Sequence, residues 1–194
     1  MNVFQLLILA AAAFFAYKVY EHIQTLESSD ENSARDEDIN DNIDHDKYAQ
    51  LVEKIEEDMQ AQNYAQVIEH SHTLLEQKEN DVEVLNSLAY AYMKEGNSRN
   101  ALKYYERSLA LDNNDDITHL AFASLLKEIR EYKKAKEHYL EAIRIDDTYE
   151  ITYFNYANLL VEMDEIEEAK KMYKKAITLK ADFNQAKFEL TKLS

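Results

Sequence analysis

Apolar and polar positions divide the chain into three stretches. Residues 3–17 read VFQLLILAAAAFFAY, apolar except for Gln5, and Val19 and Tyr20 carry the run past Lys18. Such a run predicts one uninterrupted apolar helix; eighteen helical residues span about 27 Å at ~1.5 Å each, close to the ~30 Å of a bilayer's hydrocarbon core. Residues 27–46 read ESSDENSARDEDINDNIDHD, where only Ile39 and Ile43 are large and apolar. No face of that segment can be buried and its charges repel, which predicts an extended acidic linker. From residue 47 onward apolar residues recur at helical spacing, as in Leu51, Val52, Ile55 and Met59, and predict a succession of amphipathic helices.

Those helices repeat. Ala101, Ala135 and Ala169 are 34 residues apart, as are Tyr105, Tyr139 and Tyr173, Ala89, Ala123 and Ala157, and Leu109, Ile143 and Ile177. Ser108, Ala142 and Ala176 keep a small residue in the same register, and Leu88, Phe122 and Tyr156 a large one. A fixed period of this length marks stacked helical hairpins, each unable to bury its apolar face alone.

The pattern resembles the tetratricopeptide repeat (TPR) family. With repeats set at 82–115, 116–149 and 150–183, the large, large, small, large, Ala, aromatic and small positions of that family fall on Leu85, Leu88, Ala89, Tyr92, Ala101, Tyr105 and Ser108. They fall next on His119, Phe122, Ala123, Leu126, Ala135, Tyr139 and Ala142, then on Tyr153, Tyr156, Ala157, Leu160, Ala169, Tyr173 and Ala176. Small residues let helix axes approach, and large ones fill the space between. A divergent repeat covers 48–81, with Val67 in place of the Ala and Ser71 in place of the aromatic, and a closing helix covers 184–193 with Phe188 and Leu190 packed back. The resemblance implies an all-α fold, a right-handed superhelical solenoid of antiparallel helix pairs over 47–194, following an N-terminal transmembrane helix within 1–26 and the linker 27–46. Coiled coil is not part of that reading. The family's frequent Pro is replaced by Asn113, Asp147 and Ala181. Gly96 suits a left-handed turn between the helices of its repeat, whereas Arg130 and Asp164 at the equivalent positions predict tighter or different turns.

In that family the first helices of the repeats line a concave groove that holds a peptide or a helix. Carried over, the groove positions are Asn86, Tyr90 and Met93, then Ile117, Leu120, Ser124 and Lys127, then Ile151, Phe154, Asn155 and Asn158, with Phe188 at the far end. Aromatic and apolar residues supply contact area, and Asn amides can both donate to and accept from a peptide backbone. The competing reading is that these side chains pack within the superhelix. The cationic clamp by which some members hold a terminal carboxylate would begin at Asn86 and Tyr90, or at Val52 and Glu56, and neither pair supplies its Lys. No preference for a free C-terminal carboxylate is expected.

Composition agrees with helices and narrows the chemistry. Pro is absent, Gly occurs once and Cys not at all, which removes strand-and-turn folds, disulfides, thiolate metal sites and a cysteine nucleophile. The net charge is −16, a surface that repels nucleic-acid backbones and anionic lipid headgroups. Ten acids against Lys18 and Arg35 give residues 1–46 half of that charge. Asp36, Asp38 and Asn40 have the alternate spacing of a calcium loop, but Asp41 stands where the turn needs Gly and Lys47 where the closing Glu belongs. His70 and His72 point to different helix faces, His119 occupies a core position of its repeat, and His138 with Glu141 reads as a surface hydrogen bond. No phosphate loop, catalytic triad, cofactor site or metal site assembles, and no enzyme is expected.

The functional expectation is a membrane-tethered TPR scaffold or adaptor with a protein or peptide partner and no nucleic-acid partner. Lys18, after the apolar run, places the repeats in the cytoplasm by the positive-inside rule, and the layout is similar to that of bacterial inner-membrane TPR proteins and of anchored mitochondrial import receptors. Two alternatives stand beside it. One is a secreted or periplasmic protein whose N-terminus is a signal peptide cleaved near Ala11, Ala12 and Ala13, although no Lys or Arg precedes the run. The other is a non-catalytic assembly subunit of a membrane complex. A third reading of the apolar run is a buried soluble helix.

Overall fold

The computed structural model describes residues 45–193; the expected anchor and most of the acidic linker lie outside the described residues. Every element within them is helical, and none is long and apolar enough to cross a membrane. The helices are α1 (His45–Ala61), α2 (Tyr64–Gln77), α3 (Val82–Lys94), α4 (Ser98–Leu111), α5 (Asp116–Glu128), α6 (Tyr132–Ile145), α7 (Glu150–Glu162), α8 (Ile166–Leu179) and α9 (Asn184–Lys192). They divide into two compact units, the chain passing from one to the other within α3, between Ser87 and Leu88.

In the first unit, α1 and α2 pair, with Ile55, Val67, Leu74 and Leu75 buried, and Val84 and Leu85 at the start of α3 are buried as well. Val67 and Ser71, the departures from the family pattern, are both fully buried. Asp81 ties the unit together. Its carboxylate accepts from the N–H groups of Glu83 and Val84 at 3.1 and 3.2 Å, which caps α3. It also accepts from the Tyr48 hydroxyl at 2.6 Å and from Lys78 at 2.8 Å. Burial alone would raise the Asp81 carboxyl, but the bonds from Lys78, Tyr48 and Val84 outweigh it and hold the group below its ordinary range.

In the second unit the core is the periodic set read from the sequence. Ala89, Ala101, Ala123, Ala135, Ala142, Ala157, Ala169 and Ala176 have no exposed surface, so helix backbones approach closely there. Tyr105, Tyr139 and Tyr173 are the largest fully buried side chains. Two of them pack, rings tilted, on the next repeat: Tyr105 on Phe122 with centroids 5.7 Å apart, and Tyr139 on Tyr156 at 5.8 Å. An aromatic pair of this kind adds roughly 0.5–1.5 kcal/mol beyond its buried area. Asp115 caps α5, accepting from the N–H groups of Ile117 and Thr118 and from the Thr118 hydroxyl.

The turns inside the repeats correct one expectation. Gly96, Arg130 and Asp164 all adopt left-handed backbone, with φ of 74°, 64° and 62°, and Gln62 in the divergent repeat does the same at 61°. Each turn closes with the same bond, from the N–H of the next residue back to a carbonyl five residues earlier: Asn63 to Asp58, Asn97 to Tyr92, Glu131 to Leu126 and Glu165 to Leu160, all at 2.8 Å. That bond satisfies a carbonyl the helix end leaves open, which outweighs the Cβ penalty at the three non-glycine positions.

The closing helix corrects another. Phe188 does not pack back; it is 62% exposed, with the Lys192 ammonium 4.3 Å from its ring centre. Phe183, just before α9, is buried instead, as is Ala186 on α9.

Candidate functional site

Within the second unit, α5 and α7 are the first helices of consecutive repeats and lie in contact, so their outward positions share one wall. Behind the wall stand α6 and α8, and from each a buried tyrosine reaches through the core to a polar residue of the wall. Ser124 donates to the Leu120 carbonyl at 2.9 Å, leaving its oxygen to accept from the Tyr139 hydroxyl at 3.1 Å. Tyr173 donates to Asn158 Oδ1 at 2.6 Å, which turns the amide's donors away from the core. Burial pushes both phenols up to about 12, so both remain hydrogen-bond donors at neutral pH. Tyr105 occupies the same register with Tyr90 in place of Ser124 or Asn158, and its buried hydroxyl has no hydrogen-bond partner among the described residues.

Of the expected groove residues, Ser124, Lys127 and Asn155 line one hollow, together with Glu128, Arg130, Tyr132, Tyr139 and Glu162. Lys127 reaches Glu162 on the neighbouring repeat at 3.4 Å, a contact loose enough to be exchanged. Ile117 and Ile151 are half-buried at the starts of α5 and α7. Leu120 is 8% exposed and belongs mainly to the core. Phe154 packs on Phe183 at 4.9 Å and on Tyr173 at 5.8 Å, so it is a floor more than a free contact. Tyr90 and Met93 are half-buried on α3, with Lys94 5.1 Å from the Tyr90 ring centre. Asn86 lies in the first unit, half-buried, and Phe188 stands apart on α9.

The hollow adds Tyr132, Arg130 and Glu162 to what the repeat register picks out. They escape it because they lie at turns or helix ends, where the family pattern marks no position. Phe183 had a signal: it follows Tyr149 by 34 residues, an aromatic in register at the entrance of two helices. His138 does not bond Glu141, which holds Arg144 at 2.7 Å instead. Among the described residues no three His, Cys, Asp or Glu side chains gather to hold a metal ion.

The comparisons with known proteins agree with this architecture. Two models of the tetratricopeptide repeat match, one over residues 82–115 and the other over 118–149 and 151–183, together just over half the chain. The chain belongs to the tetratricopeptide repeat family. Among solved structures, that of MamA is similar at 22% identity and a TM-score of 0.66, over 72% of this chain and 81% of that one. YrrB, described as a TPR protein with an unusual peptide-binding site, is similar at 17% identity and a TM-score of 0.65, over 75% of each chain. The first TPR of Spaghetti (RPAP3), bound to the HSP90 peptide SRMEEVD, is similar at 22% identity and a TM-score of 0.56, over 58% of this chain and 89% of that one. At these identities the likeness is one of fold. No curated protein matches the chain.

Proposed function

We propose that this chain is a membrane-tethered scaffold whose first-helix wall holds a segment of a partner protein. The observation that carries the reading is the hollow between α5 and α7. It combines hydroxyl, amide, cationic and carboxylate groups, and Ile117 and Ile151 are half-buried at the starts of the same two helices. Asn155 makes no hydrogen bond within the described residues, so both its donors and its acceptor are open to a peptide backbone. YrrB and RPAP3 are described with peptides, which supports a peptide or a helix as the class of guest. The family's role is interaction, so the reading is non-catalytic.

The apolar residues 3–20 act as the anchor, the acidic stretch as a spacer, and the repeats face the cytoplasm of a bacterial cell. Tethering raises the local concentration of the wall near the membrane, so a groove of modest affinity suffices. Selection of a displayed peptide library on the full chain tests the wall. Selected peptides should bind Asn155→Ala about tenfold more weakly, the loss of one or two backbone hydrogen bonds. They should bind equally as free acids and as C-terminal amides. Unchanged binding to Asn155→Ala sinks the wall; a large preference for the free acid sinks the internal-peptide reading. N-terminal sequencing of the mature protein tests the anchor, which loss of residues 1–13 would contradict.

A further inference from the structure

On the other side of the third repeat, two imidazoles face each other. His119 of α5 and His138 of α6 place their Nδ1 atoms 2.9 Å apart, and His119 Nε2 lies 3.2 Å from the Asn113 carbonyl oxygen in the connection leading into α5. We propose that this pair is a proton-sensitive latch, holding α5, α6 and that connection together when at least one ring is neutral and releasing them when both rings are protonated.

The carbonyl fixes the chemistry. A carbonyl oxygen only accepts, so His119 carries its proton on Nε2 and leaves Nδ1 bare. His138 must then donate from Nδ1 to close the second bond. Each tautomer is dictated by the one before it, and the chain of donors begins at a backbone group that does not titrate. A single added proton falls on His138 Nε2 and leaves both bonds intact. Only a second proton, on His119 Nδ1, sets two N–H groups against each other and two cations side by side, around a ring only 3% exposed.

The next repeat shows the same tie made without an imidazole. There the Tyr153 hydroxyl donates to the Asp147 carbonyl at 3.2 Å, both 34 residues beyond their counterparts. Met172 stands where the third repeat has His138. Holding the connection is therefore common to both repeats, and dependence on protons is particular to one.

The surroundings disfavour the cation. His138 packs on Phe122 with centroids 4.6 Å apart, in a hollow also lined by Leu109 and Leu126. The charges acting on it are those of His119 from α5 and of Glu137 and Glu141 on its own helix. Glu106 of α4 and Glu131 and Lys134 at the start of α6 line the same hollow. No charged group of α7, which also packs on α6, is among those acting on it. Burial first and His119 second push His138 below the ordinary histidine value, against the two glutamates. The stability that neutral His138 gives the latch is therefore complete above about pH 6.5, the free histidine value. Below it the unfolded chain takes up the proton first, and the contribution falls away until the lower folded value is passed.

Two measurements on the full chain test the latch. Nitrogen-15 NMR of the imidazoles at pH 7.5 should show His119 protonated on Nε2 and His138 on Nδ1. Thermal unfolding at pH 7.5 and pH 5.5 should be compared with the double variant His119→Tyr, His138→Met, which copies the pair already housed in the next repeat. The wild-type midpoint should fall further than the variant's by about 2 °C or more, the other four histidines being common to both. Equal falls would overturn the proposal. So would His138 protonated on Nε2 instead of Nδ1, a result read on the wild type and independent of how the variant folds.

Discussion

The three buried tyrosines have one position in the repeat and different surroundings, and the difference lies in a single residue of the wall. Tyr173 has Asn158 and Tyr139 has Ser124, while Tyr105 faces Tyr90. Removing a satisfied buried hydroxyl leaves its acceptor open, at a cost of about 1 kcal/mol; removing an unsatisfied one costs little or stabilises. Tyr173→Phe should therefore lower stability by about 1 kcal/mol in urea unfolding, and Tyr105→Phe should leave it unchanged or raise it. Asp81 supplies a second test at this scale. Its carboxyl is held low by Lys78, Tyr48 and the Val84 N–H, so the stability it provides is complete above about pH 4, the ordinary Asp value, and is lost as pH falls through the lower folded value. Asp81→Asn should flatten that acid limb of the unfolding curve; an unaltered limb would show that Asp81 adds nothing. The tyrosines were legible as large residues in register. Their hydroxyl partners were not, because those depend on which small or polar residue stands fifteen positions earlier, where the repeat sets no requirement.

At the scale of elements, the alternation of small and large residues fixed where helices approach. Ala135 has no exposed surface, and Ala135→Leu should destabilise by about 1–3 kcal/mol through overpacking, measured by urea unfolding. Arg130 and Asp164 adopt the left-handed backbone that glycine favours, in place of the tighter or different turns their side chains predict, because the closing bond to Leu126 or Leu160 selects it. Gly96 nevertheless gains from having no Cβ. A methyl there meets nothing within 4 Å, so Gly96→Ala should cost about 1 kcal/mol through φ strain and not through a clash. The first helix of the divergent repeat fits the register poorly; its Tyr48 is tied instead to Asp81, the cap of α3. Phe188 was expected inside and is outside. A nine-residue helix has one face to bury, and Phe183 and Ala186 already occupy the space.

At the scale of the molecule, the repeated wall was legible as a set of positions, and the structure divides that set. Ser124, Lys127 and Asn155 gather around one hollow, Leu120 and Phe154 serve the core, and Phe188 is exposed on α9. Position in the repeat gives a residue's general direction, but its neighbours decide whether it is available to a guest. The account rests on that wall being where a partner sits. Site-specific photo-crosslinking in cells tests it most directly, with the reactive side chain placed at Ser124 or Asn155 on the wall, or at the exposed Lys133 on the second helix of the same repeat. The account predicts one shared partner protein trapped from both wall positions and absent from position 133. Capture of that protein from position 133 as readily as from the wall would contradict it.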